Sequence, residues 1–158
     1  MFKYTLERLC SYNATLQQPF EVIGETPVGL RINAYATGGE VTGPRLRGRV
    51  LAVGGDWLTI RPDGVGMLNV RATMETHDGA VLYVAYEGVM DLGPDGYQRV
   101  LTGNPPARAA IQVAPRFLTS HPDYLWLNRL QCLNVGMADF ATSSVSYDTY
   151  AVHSRVLE

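Results

Sequence analysis

The stretch "NVRATMETHDGAVLYVAYEG", residues 69–88, alternates apolar and polar side chains on both sides of an Asp-Gly turn. A period of two marks a strand with one buried face. Similar punctuation recurs at Pro62-Asp63-Gly64 and Pro94-Asp95-Gly96. Pro presets φ at the first turn position, Asp bonds back to nearby backbone, and Gly accepts the left-handed conformation that follows. This chemistry suits a three-residue hairpin loop. Runs rich in Val, Ile, Leu, Thr and Tyr predict strands near 5–15, 30–40, 45–53, 56–61, 67–76, 80–88, 109–119, 125–136 and 145–156. Gly54-Gly55 reads as a glycine hairpin between two of them. Helical spacing is sustained nowhere; Asp123 to Gln131 is a weak helix candidate, and Met90 to Arg108 reads as the longest irregular segment.

A three-residue loop at His77-Asp78-Gly79 sets Thr73 opposite Tyr83, Arg71 opposite Ala85 and Asn69 opposite Glu87. The other face then pairs Met74 with Leu82, Ala72 with Val84 and Val70 with Tyr86. A two-residue loop would mix the faces, because one residue of slip exchanges them. Many short strands at hairpin spacing predict an all-β fold: one antiparallel β-barrel of about eight to ten strands, spanning residues 1–158 as a single domain. A barrel is preferred to a sandwich because closure removes exposed strand edges.

Composition narrows the function classes. The chain has 158 residues, 46% hydrophobic and 18% charged, with a net charge of −2. This describes a globular domain without a basic track, since Arg45, Arg47 and Arg49 alternate along one strand face; no nucleic-acid partner is expected. Lys3, Glu7 and Arg8 interrupt the stretch in which a signal peptide would be apolar, and no apolar run approaches a membrane span. A cytoplasmic protein without membrane association is expected, with Cys10 and Cys132 as reduced thiols. His77, His121 and His153 lack ligand spacing, so neither a metal nor another cofactor is expected. Phosphate-loop, dinucleotide, zincin and hydrolase-elbow motifs are absent.

The candidate chemistry lies on the polar face of the central hairpin. Arg71 is either part of a solvated face or a lumen group that holds an oxyanion, with Tyr83 and Glu75 moving the proton. Those three are the candidate catalytic residues. Trp57, Asp56, Asn69, Trp126 and Asn128 are candidate substrate contacts, with Asp56 a further acid or base. Each also has a structural reading: Trp as core volume, Asp and Asn as partners of backbone groups.

The run from Gly38 to Gly88, together with "APRFLTSHPDYLWLN" and "VSYDTYAV", resembles the family catalogued as domain of unknown function 3237. The resemblance implies a small antiparallel barrel that assembles into oligomers, and it implies no agreed activity. Asn69 and His77 stand where that family commonly has Asp, and Leu118 where it commonly has Glu. The leading functional expectation is a cofactor-independent lyase, isomerase or cyclase acting by acid-base chemistry on a small aromatic or polyketide-like molecule in the lumen. The alternative is a non-catalytic barrel binding a small hydrophobic ligand. With apolar residues on both faces of residues 80–88, a homo-oligomer, dimer or tetramer, is expected.

Overall fold

Runs in which every second residue is apolar build ten strands in the computed structural model, which describes residues 2–155. In chain order they are β1 (Lys3–Leu16), β2 (Glu21–Thr26), β3 (Gly29–Thr42), β4 (Gly48–Ile60), β5 (Val65–Thr76), β6 (Val81–Asp91), β7 (Arg108–Val113), β8 (Arg116–Leu118), β9 (Gln131–Asp139) and β10 (Ser144–Arg155). A short helix α1 (Gly96–Leu101) and a 3-10 helix (Pro122–Arg129) interrupt them. All pairings are antiparallel. The order β1-β10-β9-β7-β6-β5-β4-β3 closes on itself when β3 meets β1 through Tyr12↔Val41 and Thr15↔Gly38. The result is an eight-stranded barrel with two extra strands, β2 on β3 and β8 on β6.

The central hairpin has the register that its turn dictates: Thr73↔Tyr83, Arg71↔Ala85 and Asn69↔Glu87 on one face, Met74↔Leu82, Ala72↔Val84 and Val70↔Tyr86 on the other. Its apolar face is buried inside the barrel, and the polar face lies outside.

Four local expectations change. The segments 45–53 and 56–61 form one strand, β4, because Gly54 and Gly55 sit in a bulge rather than a hairpin. Pro94-Asp95-Gly96 leads into α1 instead of a hairpin, so the irregular segment holds a helix. The first half of 125–136 is 3-10 helix: Pro122 stands in its first turn, and His121 accepts a hydrogen bond from the Asp123 N–H at 3.3 Å. With three residues per turn, Tyr124 and Leu127 fall on one face, and both are buried. The segment 109–119 breaks at Ala114-Pro115 into β7 and β8, and β2 has no counterpart among the expected strands.

The two barrel ends differ. At the end holding the His77-Asp78-Gly79 turn, β8 and the 3-10 helix form a plug. Phe117 is wholly buried and pairs with Val84, and the Tyr124 hydroxyl donates to Asp78 Oδ1 at 2.8 Å. At the other end lie β2 and α1, joined where the Tyr97 hydroxyl donates to Glu25 Oε1 at 2.7 Å. That end encloses space. Among the described residues, no helix is long and apolar enough to cross a membrane.

Candidate functional site

Two glycines shape the wall beside the site. Between the pairs Val50↔Met74 and Gly54↔Ala72, β4 runs four residues against two on β5, so it bows out and returns. Gly54 makes the return at φ +82°, and a Cβ there would lie 2.2 Å from the Arg71 carbonyl oxygen; one on Gly55 would lie 2.4 Å from that of Ala34. No other residue fits this close backbone approach. The strand resumes with Asp56, Leu58 and Ile60 facing inward and Trp57 facing out.

The inward face borders a cavity of about 320 Å³. Leu30 and Ile32 of β3, Leu58 and Ile60 of β4, and Leu68 and Val70 of β5 form one wall, with Met90 and Ile111 opposite. Phe20 and Val22 reach the mouth from the β2 side, and Val100 and Leu101 from α1. Against this aliphatic lining, the polar groups gather at the inner end: Asp56 with Tyr12, Tyr86 and Tyr147.

Asp56 accepts one backbone hydrogen bond, from the Asn69 N–H at 2.9 Å. Burial among apolar side chains pushes its pKa up to about 6, against the opposing pull of that bond and of the Arg31 charge. The tyrosines stack in sequence, Tyr12 against Tyr147 at 5.1 Å and Tyr147 edge-on to Tyr86 at 5.8 Å between ring centres. Burial raises the pKa of all three: Tyr86 to about 12, and Tyr12 and Tyr147 well above the ordinary phenol value. They are therefore hydrogen-bond donors at neutral pH. Asn134, wholly buried on β9, donates from Nδ2 to the Tyr12 hydroxyl oxygen at 2.8 Å, and the Tyr12 and Tyr147 hydroxyls in turn donate toward Tyr86, which leaves the Tyr86 proton for another acceptor.

Most of the candidates read from the sequence lie elsewhere. Arg71 borders the cavity through its strand, but its side chain is exposed, and its guanidinium donates to Asn69 Oδ1 at 2.7 Å and to the Val70 carbonyl at 3.0 Å. Tyr83 is exposed beside Leu118, and Glu75 pairs with Arg49 at 2.9 Å. Alternation places all three on the outer face once Val70, Ala72 and Met74 turn inward, which corrects the expectation of a lumen Arg71 with Tyr83 beside it. The Asn69 side chain shares that outer face; its backbone N–H serves Asp56. Trp57 packs outside, edge-on to Tyr35 at 6.3 Å. Trp126 lies in the plug under the Arg45 guanidinium at 4.4 Å, and Asn128 ties the 3-10 helix to Thr119 through bonds of 2.8 and 2.9 Å.

Of the eight candidates, Asp56 alone turns its side chain to the polar inner end. Tyr12, Tyr86, Tyr147 and Asn134 were missed. Tyr86 was visible on the apolar face of the hairpin, where a hydroxyl among Val and Leu needs a partner. Tyr12 and Tyr147 meet through Tyr12↔Tyr147 pairing of the first and last strands, which no local pattern reveals.

Among the described residues, no group of three or more His, Cys, Asp or Glu side chains is placed to hold a metal ion. Cys10 and Cys132 are free and buried, with burial pushing their thiols to about 11 and about 12. They are therefore unreactive at neutral pH.

Fold and lumen define a class: a small closed β-barrel with an apolar chamber and, among the described residues, one carboxyl at its inner end. The chain belongs to the family described as protein of unknown function, DUF3237, whose model matches residues 4–152. A UPF0311 protein of Rhodopseudomonas palustris is 37% identical over 132 residues, 82% of this chain and 84% of that one. A β-barrel-like protein of Acinetobacter baumannii superposes with a TM-score of 0.82 at 28% identity, over 96% of this chain and 97% of its own. An enzyme from Penicillium herquei shares the fold at a TM-score of 0.66 and 21% identity, over 95% of each chain.

Proposed function

We propose that this protein is a cofactor-independent acid-base enzyme of the lyase, isomerase or cyclase kind, acting on a small aromatic or polyketide-like molecule in the lumen. The observation that carries this reading is Asp56: a carboxyl in a cavity lined by aliphatic and aromatic side chains, with burial lifting its pKa to about 6. A base tuned close to neutrality accepts and returns a proton with little driving force lost in either direction. Tyr12, Tyr86 and Tyr147 stay protonated and supply donors to an oxygen that gains charge as the proton leaves carbon. A barrel of this fold serves as an enzyme in Penicillium herquei, so catalysis is a use the architecture accommodates. The second reading, a binding barrel, uses the same chamber without needing the tuned carboxyl.

The two readings separate with 2-tetralone as the probe in deuterated buffer. In the catalysed step the carbon–hydrogen bond next to the carbonyl breaks, Asp56 takes the proton, and the carbonyl oxygen becomes an enolate oxygen held by a tyrosine hydroxyl. Return of a deuteron completes the exchange, which proton NMR follows. Exchange is expected to speed up as Asp56 ionises through about pH 6. It is expected to vanish in Asp56→Asn, with tetralone still bound. Bound tetralone that exchanges no faster than in buffer favours the binder.

For assembly we propose a homo-oligomer, supported by Val81, Tyr83 and Leu118, exposed together on the outer face. Sedimentation at the mass of one 17.4 kDa chain at high concentration would overturn it.

A further inference from the structure

We infer that the lumen selects neutral ring compounds bearing a phenol or ketone oxygen and turns away organic anions, so that its ligand is not a carboxylate, a phosphate or a coenzyme thioester. The inference rests on the chamber being the working site and adds the chemical class of what enters it.

Charge is the first argument. Among the described residues, the charged ones bordering the cavity are Asp56 and Arg71, and the Arg71 guanidinium is already occupied on the exposed side by Asn69 and the Val70 carbonyl. Arg31, whose charge reaches Asp56 from β3, points outward and donates to Thr59 Oγ1 at 2.7 Å. Near the mouth, Arg99 is bound to the carbonyls of Asn104 and Pro105. Among the described residues no free cation inside offsets the desolvation of a ligand anion, and an ionised Asp56 repels it.

Donors are the second argument. The groups facing Asp56 from β1, β6 and β10 are the phenols of Tyr12, Tyr86 and Tyr147, which hydrogen-bond a neutral oxygen without a charge to balance. Asn134 holds the oxygen of Tyr12, and Tyr12 and Tyr147 donate toward Tyr86, so the Tyr86 proton is the one free for such an acceptor. Size is the third. At a liquid-water volume of about 30 Å³ per molecule, the cavity holds roughly ten water-sized atoms, enough for one or two fused rings.

The test compares 2-naphthol with 2-naphthoate by calorimetric titration of the wild-type protein. The two probes share a ring system and differ in charge. Near pH 8, 2-naphthol is expected to bind roughly tenfold or more tightly than 2-naphthoate. The ratio is expected to shrink near pH 5, where Asp56 is protonated, and in Asp56→Asn at both values. Equal or tighter binding of 2-naphthoate near pH 8 overturns the inference, and so does failure of both probes to bind. Selective naphthol binding without tetralone exchange upholds the ligand class and sinks the acid-base reading. Tight naphthoate binding with tetralone exchange does the reverse.

Discussion

Asp56 and Tyr86 flank Val70: it pairs with Asp56 across one edge of β5 and with Tyr86 across the other. Both polar side chains therefore look into the lumen from strands that sandwich one apolar residue. Burial raises the Tyr86 pKa, the hydrogen bonds from Tyr12 and Tyr147 pull it back, and the Asp56 charge pushes it up again. When the carboxyl is ionised, the phenol is held all the more firmly as a donor. One group carries the negative charge and its neighbour keeps its proton, a division of roles suited to proton transfer beside an oxygen.

This arrangement costs stability with a definite pH dependence. Asp56 has a folded pKa of about 6 against an ordinary 3.8, so between these values the native state binds more protons than the unfolded chain. Stability contributed by the group falls as pH rises through that window. The full penalty above it is about 3 kcal/mol, of which about 1–2 kcal/mol accrues between about pH 5 and about pH 8. Urea denaturation at the two values is expected to show that loss in the wild type relative to Asp56→Asn. Parallel pH dependence in the two proteins would contradict the buried carboxyl.

Gly54→Ala is expected to destabilise the barrel by roughly 1–3 kcal/mol or more, because the new Cβ meets the Arg71 carbonyl oxygen while the backbone stays at positive φ. Gly79→Ala offers the comparison. It also has positive φ, at +89°, but nothing lies within 4 Å of its Cβ, so its cost is the smaller. Denaturation midpoints at unchanged m-value measure both; a Gly54→Ala midpoint equal to that of Gly79→Ala would remove the steric argument.

The hairpin register was legible because a turn and its flanking strands are local: His77-Asp78-Gly79 and the alternation around it decide every pair from Thr73↔Tyr83 to Asn69↔Glu87. The closed barrel followed from strand number and spacing. What alternation leaves open is which side of the sheet becomes the lumen, and the polar residues near Arg71 suited either. The decisive signal was on the neighbouring strand, where Asp56 shares parity with Leu58 and Ile60 and is the one charge on an apolar face. The tyrosine group stayed hidden because Tyr12 and Tyr147 come together only on closure. The helix α1 has six residues, too few to show a period in sequence.

The plugged and open ends should respond differently to truncation. Phe117 is wholly buried at the plug, and Phe117→Ala is expected to cost about 3–5 kcal/mol. Leu101, at the mouth on α1, is 40% exposed, so Leu101→Ala should change stability by about 0.5 kcal/mol or less while altering 2-naphthol affinity in the cavity. Denaturation and 2-naphthol titration of both variants check the contrast. A destabilisation by Leu101→Ala as large as that by Phe117→Ala would mean that the mouth is part of the packed core.

Arg71 supplies the sharpest test of which face works. Its guanidinium contacts Asn69 Oδ1 and the Val70 carbonyl on the exposed side, so removing it strips two hydrogen bonds outside the lumen and leaves Asp56 and the three tyrosines in place. Arg71→Ala is expected to alter stability within about 0.5 kcal/mol and to leave 2-naphthol affinity within about twofold of the wild type, since surface substitutions away from caps and buried networks have small effects. Arg71→Lys should be equally silent. Tyr147→Phe, by contrast, removes a donor from the inner end and should weaken 2-naphthol by roughly 0.5–1.5 kcal/mol, the net worth of one hydrogen bond. Titration of the three variants against wild type reads the difference directly. If Arg71→Ala weakened naphthol more than Tyr147→Phe did, ligand recognition would belong to the guanidinium at the wall and not to the phenols at the inner end.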